Sequence, residues 1–553
     1  MYLDKERWMP VSSAHTGSAA LAGDLANSLQ AVLGTLPAQR SYHTRQLARL
    51  VTQLLRAARG QSTLAIPQRD SRFDHPAWQS NPLLQRILQM WLGSTVQYQQ
   101  WLSGLDIAET DRARLIQLGE MLSATLAPSN TPFNPRILER VKATRGASLC
   151  QGAQNLAADI VLRQPLAPLC PDDAFLVGRD LAHTPGQVIL REPLFELIQY
   201  RPTTVQLHAS PLLIIPPPLN RFYLLDLTER TSLVKHALDQ GLHVFLISWR
   251  NPDASHCGSG FNHYVRACDH ALKIVSQVTN HAPVSLLGVC AGGLLTLLLQ
   301  GVLTSRRQGD RVCAASYMVT PIDARLSTGL VRLLGPAARQ RLRLKVWQRG
   351  FLPAEDMARA FAWQRPEQFV WPQALDRYAL GHTPMPREIM SWSQDSTRLP
   401  AHLVDDLLDY FERDPFACPG SLVLQGCSID LRAITTPSWH LGAQHDHIVP
   451  CHNSFPGQRL GGDSTFVQSH SGHIQSLINP PDHPGAWFRA GKVAHDDMPE
   501  WLNKYSPQSG SWRHHWTAWL KLHSGKIVAA PKVLGSAAFP PLQPAPGRYV
   551  HQS

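Results

Sequence analysis

The chain lacks most of the short signatures that announce a chemistry. Its nine cysteines form no CxxC pair, and no cluster of His, Cys and acidic side chains has ligand spacing, so no metal site is indicated. There is no GxGxxG run and no GxxxxGKS or GxxxxGKT loop, which removes the common nucleotide cradles. A HisGlyGly-type oxyanion signature is also missing. The formal net charge is +11, yet no block of Lys and Arg marks a nucleic-acid arm, and nucleic acid is not an expected partner. The basic surplus suits a phosphate-bearing ligand without selecting one. An odd number of scattered cysteines points to a reducing compartment. The opening residues Met-Tyr-Leu-Asp-Lys-Glu-Arg-Trp lack the basic-then-apolar order of a secretion signal, so a cytoplasmic protein is expected.

Long uncharged runs are scarce as well. One, at 282–305, is long enough to cross a bilayer. Glycines 288, 292 and 293 interrupt it, and it reads as a buried strand, a sharp turn and a buried helix, with no transmembrane segment.

What is present is an ordinary globular composition, 44% hydrophobic and 17% charged over 553 residues, enough for two or more domains. Residues 1–185 show helical spacing, as at 25–59, 83–102 and 111–126, and read as a helical N-terminal region. Short apolar runs at 211–216, 243–248, 284–289 and 313–320 then alternate with helical stretches. That alternation predicts a parallel sheet wrapped by helices over 186–322, resuming with strands at 437–443 and 464–469 and continuing to 525. The interruption at 323–432, rich in Arg, Trp and Pro, sits where a lid or cap is inserted. The tail at 526–553 is rich in Pro, Ala and Gly and reads as irregular.

The sharpest signal is Gly-Val-Cys-Ala-Gly-Gly (288–293). It fits a nucleophile elbow with Cys290 in place of the commoner serine. Small neighbours let the backbone turn tightly and let an acyl group approach. The Ala291 amide, at the start of the following helix, is placed to hold an oxyanion. An elbow calls for an acid and then a histidine downstream. Asp446 lies in Leu-Gly-Ala-Gln-His-Asp-His-Ile-Val-Pro (441–450) after one strand, and His473 in Ser-His-Ser-Gly-His-Ile-Gln (469–475) after the next. His447 and His470 are rivals, His447 as a brace of the acid loop or a group near substrate. The turn after the first parallel strand reads Pro-Pro-Pro-Leu-Asn-Arg (216–221). Prolines carry no N–H, so a second oxyanion donor there is Leu219 or Asn220, with Leu219 taken first. The remaining cysteines read as structural.

These three motifs together resemble those of the polyhydroxyalkanoate synthases. Further segments agree: Asp-Ser-Arg-Phe-Asp-His-Pro-Ala-Trp (70–78), Leu-Phe-Glu-Leu-Ile-Gln-Tyr-Arg-Pro (194–202), Asn-Arg-Phe-Tyr-Leu-Leu-Asp-Leu (220–227), Ile-Ser-Trp-Arg-Asn-Pro-Asp (247–253) and Asp-Ser-Thr-Arg-Leu-Pro (395–400). The ending Ala-Pro-Gly-Arg-Tyr-Val-His (545–551) is similar to the medium-chain branch, class II. The resemblance runs from about residue 65 to the end. It implies an α/β-hydrolase fold with a helical N-terminal region and a lid, and polymerisation of (R)-3-hydroxyacyl-CoA with release of CoA. It assigns Cys290 as the acyl carrier, His473 as the general base and Asp446 as the support of the second step, in which His473 oriented by Asp446, or Asp446 more directly, removes the proton of the incoming hydroxyl. It also implies a homodimer at the surface of polymer granules, with the growing polyester as partner and no metal or organic cofactor.

The chain departs from that pattern in three places. Cys451 follows Asp-His-Ile-Val-Pro where Trp is usual. Leu219, Asn220 and Arg221 stand where Ile-Asn-Lys is usual, and residues 369–381 lack the typical Asn-rich lid sequence. A cysteine-dependent thioesterase of the same fold, and a non-catalytic granule-associated paralogue, therefore stand as alternatives. Arg221 and Arg398 are the basic residues offered for the CoA phosphates.

Overall fold

The computed structural model describes residues 15–66, 70–162, 167–171, 173–324, 333–494 and 497–552, with side chains from residue 20. The opening residues read for a secretion signal lie outside them. The chain divides into two units. The first comprises Met1–Ala167, Gly329–Gln348 and Ala360–Thr383, and the second the remainder.

The first unit is helical: α1 (His15–Gly34), α2 (Arg40–Ala58), α3 (Pro82–Ser103), α4 (Glu109–Thr125), α5 (Pro135–Thr144) and α6 (Ala147–Val161). The start of α3 shows how its sequence sets a boundary. The Asn81 side chain accepts from the Leu83 and Leu84 amides, and Pro82 fills the first turn, where no N–H is needed. Two small cores hold the unit. One gathers Phe73, Trp78, Leu84, Leu88 and Leu92, and the other Val32, Leu102, Leu105 and Leu115. The 70–78 segment is thus packing material: Arg72 pairs with Asp70 at 2.8 Å while Phe73 and Trp78 are buried. The 369–381 segment also belongs to this unit. Arg377 donates to both oxygens of Asp159 at 2.6 and 2.7 Å, and the Tyr378 hydroxyl donates to the same carboxylate at 2.9 Å, which fastens the segment to α6. The 323–432 stretch is therefore shared between both units.

The second unit is built on one sheet of eleven strands among the described residues: β1 (Gly186–Arg191), β2 (Phe195–Tyr200), β3 (Leu212–Ile215), β4 (Val244–Trp249), β5 (Val284–Val289), β6 (Val312–Met318), β7 (Ser438–Ala443), β8 (Ser464–Ser469), β9 (Trp487–Val493), β10 (Gln508–Ser509) and β11 (Gln543–Pro544). Across the sheet the order is β11-β1-β2-β4-β3-β5-β6-β7-β8-β9-β10. From β4 to β8 every neighbour is parallel, β2 runs antiparallel to β4, and β9 antiparallel to β8. The run 1-2-4-3-5-6-7-8 with an antiparallel second strand is the α/β-hydrolase arrangement.

Strands β3, β4, β5, β7 and β8 are buried along their whole length, as a sheet covered on both faces requires. The covering helices include α7 (Leu233–Asp239), α8 (Phe261–Val278), α9 (Ala291–Ser305), α10 (Glu388–Gln394), α11 (Ala401–Arg413), α12 (His473–Ile478) and α13 (Trp512–His523). Helix α8 buries Phe261, Tyr264, Val265, Cys268, Ala271, Leu272 and Val275, one stripe at three- and four-residue spacing. Helix α9 is buried at every position from 291 to 303, which explains why the 282–305 run carries no charge. Among the described residues no helix is long and apolar enough to cross a membrane.

The tail is irregular between short strand pieces at Ile527–Ala529 and Gln543–Pro544, and it is tied down. Glu196, wholly buried in β2, accepts the Arg548 and Tyr549 amides at 2.9 Å each and the Arg191 guanidinium at 2.6 Å.

Candidate active site

The turn between β5 and α9 carries Cys290 at φ 51° and ψ −122°, a left-handed conformation that costs a non-glycine residue on the order of 1–3 kcal/mol. Val319, at the end of the neighbouring β6, is also held at positive φ (45°), and the Cys290 amide donates to Met318 O at 2.9 Å. The strain is therefore locked between two adjacent parallel strands.

The flanking glycines are spatial requirements. A Cβ on Gly292 would lie 2.1 Å from Ile215 O and 2.7 Å from the Pro216 carbonyl, both backbone. One on Gly293 would lie 1.9 Å from Thr320 Oγ1, and one on Gly288 2.5 Å from Gly293 Cα. Close approach of α9 to the end of β3 is what the small residues provide.

Asp446 and His473 lie after β7 and β8, at the same carboxyl edge of the sheet as Cys290. Asp446 Oδ1 accepts the Ile448 and Val449 amides at 2.8 Å each, and its Oδ2 accepts His473 Nδ1–H at 2.7 Å. A carboxylate can only accept, so the proton on this bond belongs to Nδ1. That leaves Nε2 for Cys290, to which His473 is hydrogen-bonded. Burial works against an imidazolium at His473. The negative charges and hydrogen bonds of Asp446 and Cys290 outweigh it and lift the group to about 10.

The structure thus brings the side chains of Cys290, His473 and Asp446 together. His447 lies half-buried in the Asp446 turn and does not take the Nδ1–carboxylate position. The other rival, His470, faces Trp487 and His483.

His473 begins α12, whose other end is anchored by residues the sequence reading passed over. Trp512 Nε1 donates to Ser476 O at 3.0 Å, and Arg513 Nη2 to Leu477 O at 2.7 Å and Thr231 O at 2.8 Å. Arg513 is fully buried, and burial lowers it to about 10. The only sequence signal was a Trp-rich helix, Trp512, Trp516 and Trp519, at helical spacing.

Of the two amides expected to hold an oxyanion, that of Ala291 makes no hydrogen bond among the described residues, as expected of the first residue of a helix. The facing turn at 216–221 is braced from several directions. Trp249 Nε1 donates to Pro216 O at 2.8 Å, and Thr397 Oγ1 to Pro218 O at 3.2 Å. Trp392 Nε1 donates to Arg221 O at 2.9 Å. With three prolines in a row, Leu219 holds the first amide the turn can offer.

Arg221 itself is 5% exposed. Its guanidinium donates to Asp395 Oδ1 at 2.9 Å, to Tyr549 O at 3.3 Å and to Gln552 O. Tyr223 donates to the other oxygen of Asp395 at 2.9 Å. Arg221 is therefore a structural clamp and is not available to a CoA phosphate. Arg398 lies over the Phe351 ring at 5.2 Å.

Cys451 is buried with Phe455, Phe466 and Trp501. Burial pushes its thiol up to about 12, and Gly442 leaves it room. The exchange of Trp for Cys is thus absorbed in a core. All nine cysteines are free thiols, and among the described residues no three His, Cys, Asp or Glu side chains gather as a metal set.

Strand order and elbow define an α/β-hydrolase-fold protein with cysteine where a serine commonly stands. Residues 69–237 match the family model for the N-terminus of poly-beta-hydroxybutyrate polymerase (PhaC). The chain is 37% identical over 546 residues to poly(3-hydroxyalkanoate) polymerase 2 of Ectopseudomonas oleovorans, covering 98% of each chain. It is 34% identical to polymerase 1 of the same organism, over 96% of this chain and 95% of that one. With the polymerase subunit PhaC of Cupriavidus necator it shares 32%, over 89% and 85%. Among solved structures, the bacterial brefeldin A esterase aligns at a TM-score of 0.34 and 14% identity, over 71% of this chain and 94% of its own. The chain belongs to the poly(3-hydroxyalkanoate) polymerase family of acyltransferases.

Proposed function

We propose that this protein polymerises (R)-3-hydroxyacyl-CoA of medium chain length into poly(3-hydroxyalkanoate), with Cys290 as the acyl carrier. One observation supports it above the others. The strained Cys290 is hydrogen-bonded to a His473 whose other nitrogen is fixed by Asp446, in a chain related over nearly its full length to named polymerases.

His473 takes the Cys290 proton, and the thiolate adds to the thioester carbonyl. The Ala291 and Leu219 amides hold the resulting oxyanion. The tetrahedral adduct collapses, the C–S bond to CoA breaks, and the imidazolium gives its proton to the departing thiolate. His473 is then neutral and accepts the proton of the next unit's 3-hydroxyl as that oxygen attacks the acyl-cysteine. The Cys290 thiolate leaves, and the imidazolium–thiolate pair is restored with one ester added. No metal or organic cofactor enters this sequence, and CoA arrives as substrate. The family reading adds a homodimer in the cytoplasm at the granule surface.

The test is CoA release from (R)-3-hydroxydecanoyl-CoA by the purified chain beside Cys290→Ala, with extractable polymer weighed at the end. Release that needs Cys290 and yields polymer is the expected result. Release that ends in free 3-hydroxydecanoate replaces the proposal with a thioesterase, and no release from this or from 3-hydroxybutyryl-CoA replaces it with a non-catalytic paralogue.

A further inference from the structure

Helix α2 (Arg40–Ala58) presents two unlike faces. Tyr42, His43, Gln46, Leu50, Gln53, Leu54 and Ala57 point inward or are half-buried. On the outside, Leu47, Val51 and Leu55 recur at four-residue spacing and are 61, 47 and 49% exposed. A soluble helix normally gives that face to polar residues.

The flank of the stripe is cationic. Arg45, Arg49 and Arg56 follow one edge, Arg40 begins the helix and Arg59 follows it, while no acidic residue occurs between Asp24 and Asp70. Among the described residues none of these five guanidinium groups has a carboxylate partner. A shallow open hollow on the same helix is lined by Arg40, Ser41, Thr44, Arg45 and Ala48, so guanidinium and hydroxyl donors stand together beside the apolar stripe. Helix α1 repeats the apolar part, with Leu29 and Leu33 49 and 61% exposed.

We propose that α2 docks flat on an anionic phospholipid surface, with Leu47, Val51 and Leu55 entering the acyl boundary and the arginines meeting headgroup phosphates. Charge complementarity selects this occupant: an exposed apolar stripe whose only charged neighbours on the helix are unpaired arginines, with small and hydroxyl residues between, matches a surface whose outer layer is phosphate and whose inner layer is hydrocarbon. An apolar partner face alone would leave the five arginines without counter-charges. This inference stands on the helix and is independent of the polymerase reading.

Flotation of the full chain with vesicles tests it, using phosphatidylcholine alone against phosphatidylcholine mixed with phosphatidylglycerol. The expected result is binding to the mixed vesicles only, weakened by salt. Two variants, Leu47→Ser/Val51→Ser/Leu55→Ser and Arg45→Gln/Arg49→Gln/Arg56→Gln, should each weaken binding by roughly tenfold or more. Because the altered side chains are exposed, thermal unfolding and CoA release from soluble substrate should stay at parent levels, which separates this outcome from misfolding. Absence of flotation with the mixed vesicles overturns the proposal, as does a leucine variant that floats like the parent. A leucine variant that changes oligomeric state while floating normally assigns the face to a second copy of the chain. Retention on duplex DNA through the arginines, without flotation, assigns it to nucleic acid.

Discussion

Replacing Asp446 with Asn removes one charge and almost nothing else. Asn Oδ1 can still accept the Ile448 and Val449 amides at the 2.8 Å positions, so the loop keeps its caps. The amide nitrogen then faces His473 Nδ1, two donors meet, and the imidazole must turn its Nδ1 into an acceptor. Its Nε2 then carries a proton toward Cys290 and cannot take one. The electrostatics act in the same direction. In the parent, His473 is lifted to about 10 although burial alone would lower it. Against an ordinary value near 6.5, that lift corresponds to a preference for the imidazolium on the order of 5 kcal/mol. Asp446 supplies the larger share, so in Asp446→Asn burial prevails and His473 falls toward or below its ordinary value. CoA release at saturating substrate should drop by about 10²- to 10⁴-fold, the scale seen when a triad aspartate loses its charge. The imidazole titration, identified by difference against His473→Gln in a histidine-labelled spectrum, should shift down by about two units or more. A variant whose turnover stays within about threefold of the parent, with an unmoved titration, would refute the relay.

The same pair sets a pH dependence. A histidine raised in the folded state contributes stability fully below about 6.5, and that contribution is lost as the pH rises through about 10. The parent's urea midpoint should therefore decline between those limits, more steeply than that of Asp446→Asn. At the elbow, Cys290→Gly should abolish turnover yet unfold at a higher temperature than Cys290→Ala, since only glycine occupies φ 51° without strain. Gly292→Ala meets carbonyl oxygen at 2.1 Å and should lose both activity and about 1–3 kcal/mol or more of stability. Gly293→Ala meets the Thr320 side chain, and Thr320→Ala should partly restore it in a double-mutant cycle. Arg221→Gln leaves Asp395 and two tail carbonyls short of a donor and should cost about 2–4 kcal/mol in denaturant unfolding. Deleting 545–553 should cost a comparable amount, and the two losses should not add.

The parallel strands were legible because burial on both faces leaves only apolar residues in them, as in Leu212–Ile215 and Val284–Val289. The elbow was legible because its glycines are forced by contacts less than 3 Å away, with backbone at Gly288 and Gly292 and with the Thr320 side chain at Gly293. Strand β2 was not, although all six of its residues are buried. Glu196 and Gln199 break its apolar run, and their partners lie at 548–549 in the tail and at His243 and Gly535. Long-range pairing of that kind has no local signature. Arg221 illustrates the opposite error: a lone cation near the site suggests a phosphate ligand, whereas the fold places Asp395 against it. The division of 323–432 between two units could not be read either, because the Arg377–Asp159 clasp joins residues 218 positions apart.

Several segments that carry the family resemblance converge on one place. Trp249, from the 247–253 segment, holds Pro216 O. Thr397, from 395–400, holds Pro218 O, and Asp395 from the same segment holds Arg221. Asn251 Nδ2 donates to Gln552 O at 3.1 Å, and its Oδ1 accepts the Arg398 amide at 2.9 Å, which joins the two segments to the tail. In this reading these motifs are a brace around the 216–221 turn. A turn of three prolines cannot hold itself through its own amides, because it has none until Leu219. An oxyanion donor must not move as charge develops, since preorganisation is what gives it catalytic value. The braces supply from outside the rigidity that the prolines cannot supply from within. Damage to Trp249, Thr397 or the tail should therefore lower turnover more than it raises KM, although none of these side chains need touch substrate.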